Sequence, residues 1–300
     1  MLFCVQFAFD GISSLTSVCA SSTVAALYKL PRGANGVTVS SCEPPSPPPP
    51  QSPPLSSPPT PPPPSPPSAS ATGDPHLSLA YGGKADFRGT PGAYFNLLSA
   101  LGLSLNVLFV GAMFKLRELT VDGSFMTEAH LALRTLSGKR LLVTYDAGRL
   151  GDTQMAYGMV NATCGGEAVT LGPKAVLECD EVRASIDAST LTVATGEWLV
   201  KVTGQPVYGR LSGPAHRLDV ALEPLVAEEK FAAKPHGLVG QSYDGSKVPR
   251  YGRVDQYPPL EVPSEFTTAA MAEGAIEGVA ADYQVADKYA THFKFSRSAA

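Results

Sequence analysis

The chain has 300 residues, of which 44% are hydrophobic and 17% charged, and its formal net charge is −4. The apolar content is enough for a folded core, and the length allows one to three domains. A slight negative charge argues against a nucleic-acid-binding surface and against a basic patch for anionic lipid.

Residues 1–42 form an N-terminal segment with two open interpretations. A signal peptide normally begins with Lys or Arg, and the first 20 residues contain neither. However, Val18-Cys19-Ala20 offers small residues of the kind at which signal peptidase cleaves. Cleavage there would remove Cys4 and Cys19. The alternative is that the chain is a fragment of a larger surface protein.

Residues 43–72 are predicted to be a linker that is disordered or forms polyproline II. Of the 28 prolines, 16 lie in residues 44–67, which read PPSPPPPQSPPLSSPPTPPPPSPP. Proline fixes φ and donates no backbone hydrogen bond, so we expect a stiff rod of roughly 70 Å. Beside it, Cys42 is left without a partner if the first 20 residues are removed, which leaves an intermolecular disulfide as one option.

The Ser-Pro-Pro-Pro-Pro repeats of this tract resemble the spacers of hydroxyproline-rich algal and plant cell-wall glycoproteins. The resemblance implies an extracellular or cell-wall location and a spacer function. The alternative is an unstructured low-complexity segment.

Residues 73–255 are predicted to form an antiparallel β-sandwich or a rolled sheet, because short alternating segments are broken by Gly and Asp turns. Asp122-Gly123 between two such segments is typical of a hairpin turn. The candidate strands are Ser104–Val110, Glu118–Val121, Ser124–Leu133, Leu141–Tyr145, Ala168–Leu171, Leu191–Ala194, Trp198–Val202 and Leu218–Leu222.

Within this domain, the stretch LLSALGLSLNVLFVGAMF is long enough to be a membrane helix. Apolar residues alternate there with Ser104 and Asn106, which is strand periodicity, so no membrane span is expected. Residues 256–300 are predicted to be a partly helical extension. Ser264–Tyr289 is alanine-rich and Ser264 can cap it, while Gly274 and Gly278 would break it into shorter helices.

Two further signals concern covalent chemistry. Cys164 and Cys179 are the cysteines predicted to pair, closing a loop of about 15 residues, and two free thiols are the alternative. Asn161-Ala162-Thr163 is an N-glycosylation sequon, which we expect to be used if the chain is secreted.

Two motifs at opposite ends of the β region carry a resemblance to a known family. Gly-Asp-Pro-His at 73–76, followed by Asp-Phe-x-Gly at 86–89, resembles the opening of a von Willebrand factor type D domain. Gly-Leu-Val-Gly-Gln-Ser-Tyr-Asp-Gly at 237–245 resembles the motif that closes that domain. The resemblance covers 73–255 and implies an extracellular β-sandwich used in adhesion and assembly.

The sequence departs from that family at its cysteine and calcium positions. Val239 stands where the closing motif has a cysteine, so mucin-type intermolecular disulfides are not expected through this domain. Gly82 stands where a calcium-binding carboxylate would be, which leaves Asp244 and Gln241 as the matched candidates. Calcium takes six to eight oxygen ligands, and one matched carboxylate, Asp244, is too few, so no cofactor is predicted and a calcium site is the alternative.

The Asp74-Pro75 bond is a candidate site of self-cleavage. Asp-Pro bonds are acid-labile, and His76 beside it could supply a proton. Some type D domains cleave themselves at this motif, so the resemblance implies cleavage, and the alternative is a plain turn. Other catalytic motifs, such as His-Glu-x-x-His or a phosphate loop, are absent from the sequence.

The sequence therefore predicts a non-enzymatic extracellular or cell-wall protein. A proline spacer holds a type D-like domain for adhesion or matrix assembly, with an extracellular protein or glycan as partner. The alternative is a self-processing module that cleaves or cross-links at Asp74-Pro75. The oligomeric state stays open.

Overall fold

A computed structural model describes residues 67–151 and 160–297, together with the backbone of three earlier strands. The chain divides into two compact units, Met1–Pro63 and Pro64–Ala300. In the first, β1 (Leu2–Phe7) lies between β2 (Thr16–Ser21) and β3 (Val37–Ser41) in an antiparallel sheet. The predictions made for Cys42 and for the tract up to residue 66 fall outside the described residues.

The second unit is built from two sheets, which confirms the prediction of a mainly β, antiparallel fold. The nine-stranded sheet has the order β12-β11-β10-β9-β8-β7-β20, with β17 paired to β8 and β19 paired to β9. The eight-stranded sheet has the order β13-β14-β15-β16-β18-β4-β5-β6. The strands are β4 (Ala69–Thr72), β5 (His76–Ser78), β6 (Lys84–Asp86), β7 (Tyr94–Ala100), β8 (Leu103–Leu116), β9 (Leu119–Arg134), β10 (Arg140–Asp146), β11 (Val160–Cys164), β12 (Glu167–Leu171), β13 (Val176–Cys179), β14 (Val182–Asp187), β15 (Thr190–Ala194), β16 (Trp198–Pro206), β17 (Arg210–Ser212), β18 (His216–Pro224), β19 (Ser264–Thr267) and β20 (Gln284–Val285).

Alternating side chains from both sheets form one main core. In β16 and β18 every second residue is buried, including Val200 and Val220. Leu105 and Leu131 of the other sheet belong to the same cluster. A smaller core lies under the far half of the β8–β9 hairpin and contains Ala112, Phe114, Leu119, Val121, Phe125 and Val207. This second core forms the base of the candidate site described below.

The β8–β9 hairpin turns earlier than the sequence indicates. Leu116 pairs with Leu119, so the turn lies at Arg117-Glu118, and the prediction of a turn at Asp122-Gly123 is wrong. Gly123 instead lies inside β9, where a Cβ would be 2.2 Å from Oδ2 of Asp74. Glycine is needed at this position because another side chain approaches the backbone closely.

Within Ser264–Tyr289, where shorter helices are predicted, the structure contains no α-helix. The segment contains β19, a 3₁₀ turn at Ala280–Tyr283 and β20. Left-handed backbone at Ala272 (φ 57), Gly274 (φ 86) and Gly278 (φ 75) interrupts any helix. The alanine-rich composition favours a helix, but pairing of β19 with β9 and of β20 with β7 decides the structure.

The apolar stretch considered for the membrane forms strand, as its alternation predicts. It lies in β7 and β8, whose residues Ala100 and Leu103 flank the turn between them. Among the described residues, the structure contains no helix that is both long enough and apolar enough to cross a membrane.

The second compact unit includes residues on both sides of 73–255, the range predicted for the β domain. At its start, β4 pairs with β5 and β18. At its end, the main-chain oxygen of Ala290 accepts hydrogen bonds from Ser104 (3.2 Å) and Asn106 (2.8 Å) of β8. The C-terminal segment thus covers the outer face of the nine-stranded sheet and explains why β8 and β9 bury polar side chains there.

A disulfide joins Cys164 of β11 to Cys179 of β13, with 6.0 Å between their Cα atoms, and confirms the predicted pair. The two cysteines belong to different sheets. The bond therefore ties the two layers together at the end of the sandwich where both sheets have their edge strands, β12 and β13.

Candidate functional site

The opening motif forms the tight turn between β4 and β5. Thr72 pairs with His76 across this turn, which leaves Gly73, Asp74 and Pro75 as its three residues. Gly73 has φ 69, a conformation that favours glycine, and its N–H donates to Oδ1 of Asp219 at 2.9 Å. The motif therefore forms a turn that directs Asp74 inward.

Asp74 is buried against β9 and is 8% exposed. Its Oδ1 accepts the N–H of Ser124 at 2.8 Å, and the Tyr257 hydroxyl lies 3.5 Å from Oδ2. Burial raises the pKa of the Asp74 carboxyl to about 6, although the Ser124 N–H and the charges of His76 and Arg88 pull the pKa down. The motif thus holds a carboxyl group that can gain or lose a proton at mildly acidic pH.

A series of hydrogen bonds through two carboxylates, Asp86 and Asp255, holds the His76 ring in place. Its Nδ1 lies 2.7 Å from Oδ1 of the buried Asp86, while half of the His76 side chain is exposed. The other oxygen of Asp86 accepts the N–H of Asp255 at 2.9 Å. Asp255 in turn accepts the N–H of Ala269 at 3.0 Å. This arrangement fixes the orientation of the imidazole two residues after Asp74.

Asp74 and His76 line a groove of about 200 Å³ on the surface of the smaller core. Most of its remaining wall is aromatic or aliphatic, and Arg217 adds a guanidinium whose carbon lies 5.9 Å from the centre of the Phe125 ring. The remaining residues of the wall are Gly73, Phe114, Leu116, Pro206, Val207, Tyr208 and Tyr257. The groove therefore combines apolar surface with a few polar groups, as small binding sites usually do.

The closing motif packs on β7 and contacts the segment between the two parts of the opening motif. The N–H groups of Leu238 and Val239 donate to the carbonyls of Asn96 and Leu97, each at 3.0 Å. Further along, Oγ of Ser242 accepts the N–H of Ala80 at 3.1 Å, although 162 residues separate the two. The closing motif is thus hydrogen-bonded to the segment that joins the two parts of the opening motif.

Both calcium candidates make hydrogen bonds within the protein. Gln241 is 2% exposed, and its Oε1 accepts the N–H of Glu277 at 2.8 Å. Asp244 pairs with Arg250 at 2.8 Å and accepts the N–H of Ser246. Burial alone would raise the pKa of Asp244, but these partners outweigh burial and lower it to about 2. Each side chain therefore has a structural role in the closing segment.

The sequon residue Asn161 is exposed on β11, where its Oδ1 accepts the Thr170 hydroxyl at 3.1 Å. An exposed strand position leaves room for a glycan, and its use stays a prediction. Within residues 67–151 and 160–297, no cluster of three or more His, Cys, Asp or Glu side chains is arranged to hold a metal ion.

Sequence reasoning did not find several residues that complete the site. Tyr257, Arg217 and Asp219 come from distant parts of the chain and carry no local motif. The glycine of Asp122-Gly123 is required because the Asp74 side chain approaches the backbone of β9 there, and not because the chain turns at this dipeptide. The comparisons with protein-family models and with curated proteins gave no significant match.

Proposed function

We propose that this chain is a non-enzymatic extracellular or cell-wall protein whose β domain serves adhesion or matrix assembly at the end of a proline spacer. The observation that carries the proposal is the hydrogen bond from the Ala80 N–H, between the two parts of the opening motif, to Ser242 Oγ of the closing motif. The two ends of the region that resembles a type D domain are therefore packed against each other in one folded unit. The disulfide between Cys164 and Cys179 supports an oxidising compartment.

A bead assay with the purified full chain tests this function. Beads coated with the chain are expected to adhere to one another, or to immobilised extracellular polysaccharides or matrix proteins. Beads coated with heat-denatured chain serve as the control, since adhesion through a folded domain requires the sandwich. Failure of the coated beads to adhere to any of these surfaces would contradict the proposal.

A second candidate function is self-cleavage at Asp74-Pro75, and the buried Asp74 carboxyl beside the oriented His76 favours it. In this step the Asp74 carboxylate attacks its own main-chain carbonyl carbon, and the bond to the Pro75 nitrogen breaks. The nitrogen leaves as an amine after taking a proton, which His76 or water supplies. Water then opens the cyclic anhydride to an aspartate terminus, and an amine or hydroxyl of another molecule would give a cross-link instead.

Self-cleavage is expected to be fastest at mildly acidic pH. Because the pKa of the Asp74 carboxyl is about 6, a fraction of this group is ionised at mildly acidic pH and can attack. Protons for the leaving nitrogen are available at the same pH. Intact-mass measurement of the full chain after incubation should reveal a product that begins at Pro75. The Asp74→Asn variant should stay intact. A wild-type chain that also stays intact at every pH would rule this function out.

A further inference from the structure

The groove beside the opening motif is lined largely by aromatic side chains. Phe114 and Phe125 lie 5.0 Å apart at ring centroids in the groove wall, and Tyr257 and the His76 ring lie 6.4 Å apart. Tyr208 stands on the rim and is 79% exposed. Exposed aromatic surface next to an apolar groove points to a bound partner.

The polar groups of the groove are mostly hydrogen-bond donors. Arg217 is paired with Asp219, Nδ1 of His76 with Asp86, and the Tyr257 hydroxyl lies near Asp74, which is the one carboxyl among the described residues of the wall. The Tyr208 hydroxyl, the remaining N–H groups of Arg217 and the second ring nitrogen of His76 can still donate to a ligand. Burial raises the pKa of the Tyr257 hydroxyl, so this hydroxyl stays protonated and able to donate. The fitting ligand is therefore rich in acceptors, poor in donors and flat enough to pack on aromatic rings.

A proline tract has these properties. Each prolyl residue offers a carbonyl acceptor, has no N–H, and presents a ring that packs on aromatic side chains. Aromatic-lined grooves are how several domains recognise extended proline-rich segments, which lose little entropy on binding. This chain carries such a segment itself, with 16 prolines in residues 44–67 and no charged residue among them.

We propose that the groove lined by Tyr208, Tyr257 and Phe125 binds the proline tract of a second copy of this chain. The inference rests on the proposed adhesion and assembly function and names its partner. The tract of the same chain is joined to the groove wall through β4, which runs from Ala69 to Thr72 and directly precedes Gly73. Because β4 is held between β5 and β18 in its sheet, the residues that adjoin the tract of the same chain are fixed there, whereas the tract of a second copy has no such attachment.

Because groove and tract are different surfaces, this contact is head-to-tail. Such a heterologous contact does not close on a pair of molecules and can link many copies into an open chain. A protein of this kind would assemble by adding copies to either end, with spacing set by the length of the tract.

The test uses the full chain and a fluorescent peptide with the sequence of residues 44–67. Fluorescence anisotropy measures the affinity of the peptide for the wild type, for Tyr208→Ala, and for Tyr251→Ala as the matched control. Tyr251 is also an exposed tyrosine, at 63%, but lies outside the groove. A control peptide carries alanine at every proline. Sedimentation equilibrium over a range of concentrations measures self-association of the same three proteins.

The expected result is that the proline peptide binds and the alanine peptide does not. Tyr208→Ala should weaken binding about fivefold or more, as loss of an aromatic anchor does, while Tyr251→Ala leaves binding unchanged. The wild type should self-associate as concentration rises, the free peptide should reverse this, and Tyr208→Ala should remain monomeric.

Three outcomes would overturn the proposal: no binding of the peptide, equal binding by the wild type and Tyr208→Ala, or a wild type that stays monomeric at all concentrations. The adhesion function can be judged separately. If coated beads adhere equally well with the wild type and with Tyr208→Ala, adhesion stands and the groove is not its basis.

Discussion

Asp74→Asn is expected to raise the free energy of unfolding at pH 7 by up to about 3 kcal/mol and to leave it nearly unchanged at pH 4. The carboxyl has a pKa of about 6 in the folded chain against an ordinary value of 3.8. Between these values the folded chain binds the proton more tightly than the unfolded chain does. Its contribution is therefore fully present below pH 3.8 and is lost as pH rises through about 6.

Asparagine keeps the shape and the acceptor for the Ser124 N–H but never carries the buried charge. Chemical denaturation of both proteins at several pH values measures the difference. Asp187→Asn, at an exposed position of β14, is the matched control and should show no such pH-dependent gain. Wild-type and Asp74→Asn curves that run parallel from pH 4 to pH 7 would show that burial of this carboxyl is not destabilising.

Trp198→Ala is expected to cost about 3–5 kcal/mol of unfolding free energy, which is a large part of the stability of most domains. Trp198 is 1% exposed, stacks on Phe231 at 5.0 Å and meets Tyr243 edge-on at 5.1 Å. Tyr243 belongs to the closing motif. Removal of the indole therefore leaves a cavity in the main core and withdraws support from the closing segment.

Trp198→Phe is the matched control and should cost much less, because it keeps an aromatic ring between the two partners. It also removes a buried indole N–H for which the described part of the chain provides no acceptor. Trp198 is the one tryptophan of the chain, so unfolding is best followed by far-ultraviolet circular dichroism. A loss no larger in Trp198→Ala than in Trp198→Phe would mean that the neighbouring side chains collapse into the space.

The sequence was most informative where burial alternates along a strand. In β16 and β18 the amino-acid sequence alternates between apolar and polar residues, and the predicted strands lie inside the observed ones. The alternation is weaker in β8 and β9 because the C-terminal segment covers their outer face. Polar residues such as Asn106 are buried there. The local sequence of β8 and β9 does not indicate that the C-terminal segment covers them.

The two structural errors had the same cause. Asp122-Gly123 and the alanine-rich segment from Ser264 were interpreted from local preference, whereas contacts with distant residues decide both. The same limit applies to the site. Asp74 and His76 could be singled out as a motif, but Tyr257 lies 183 residues from Asp74 and Arg217 shares no motif with either.

The disulfide has a mechanical consequence for the β domain. A force applied to the two ends of the chain would stretch the strands apart one after another, but the 15-residue span between Cys164 and Cys179 cannot lengthen while the bond is intact. Roughly 50 Å of contour length is thereby withheld from extension. Since the bond also joins the two layers, a molecule under tension would keep its sheets tethered even after part of the sandwich had opened, and could close again when the load is released.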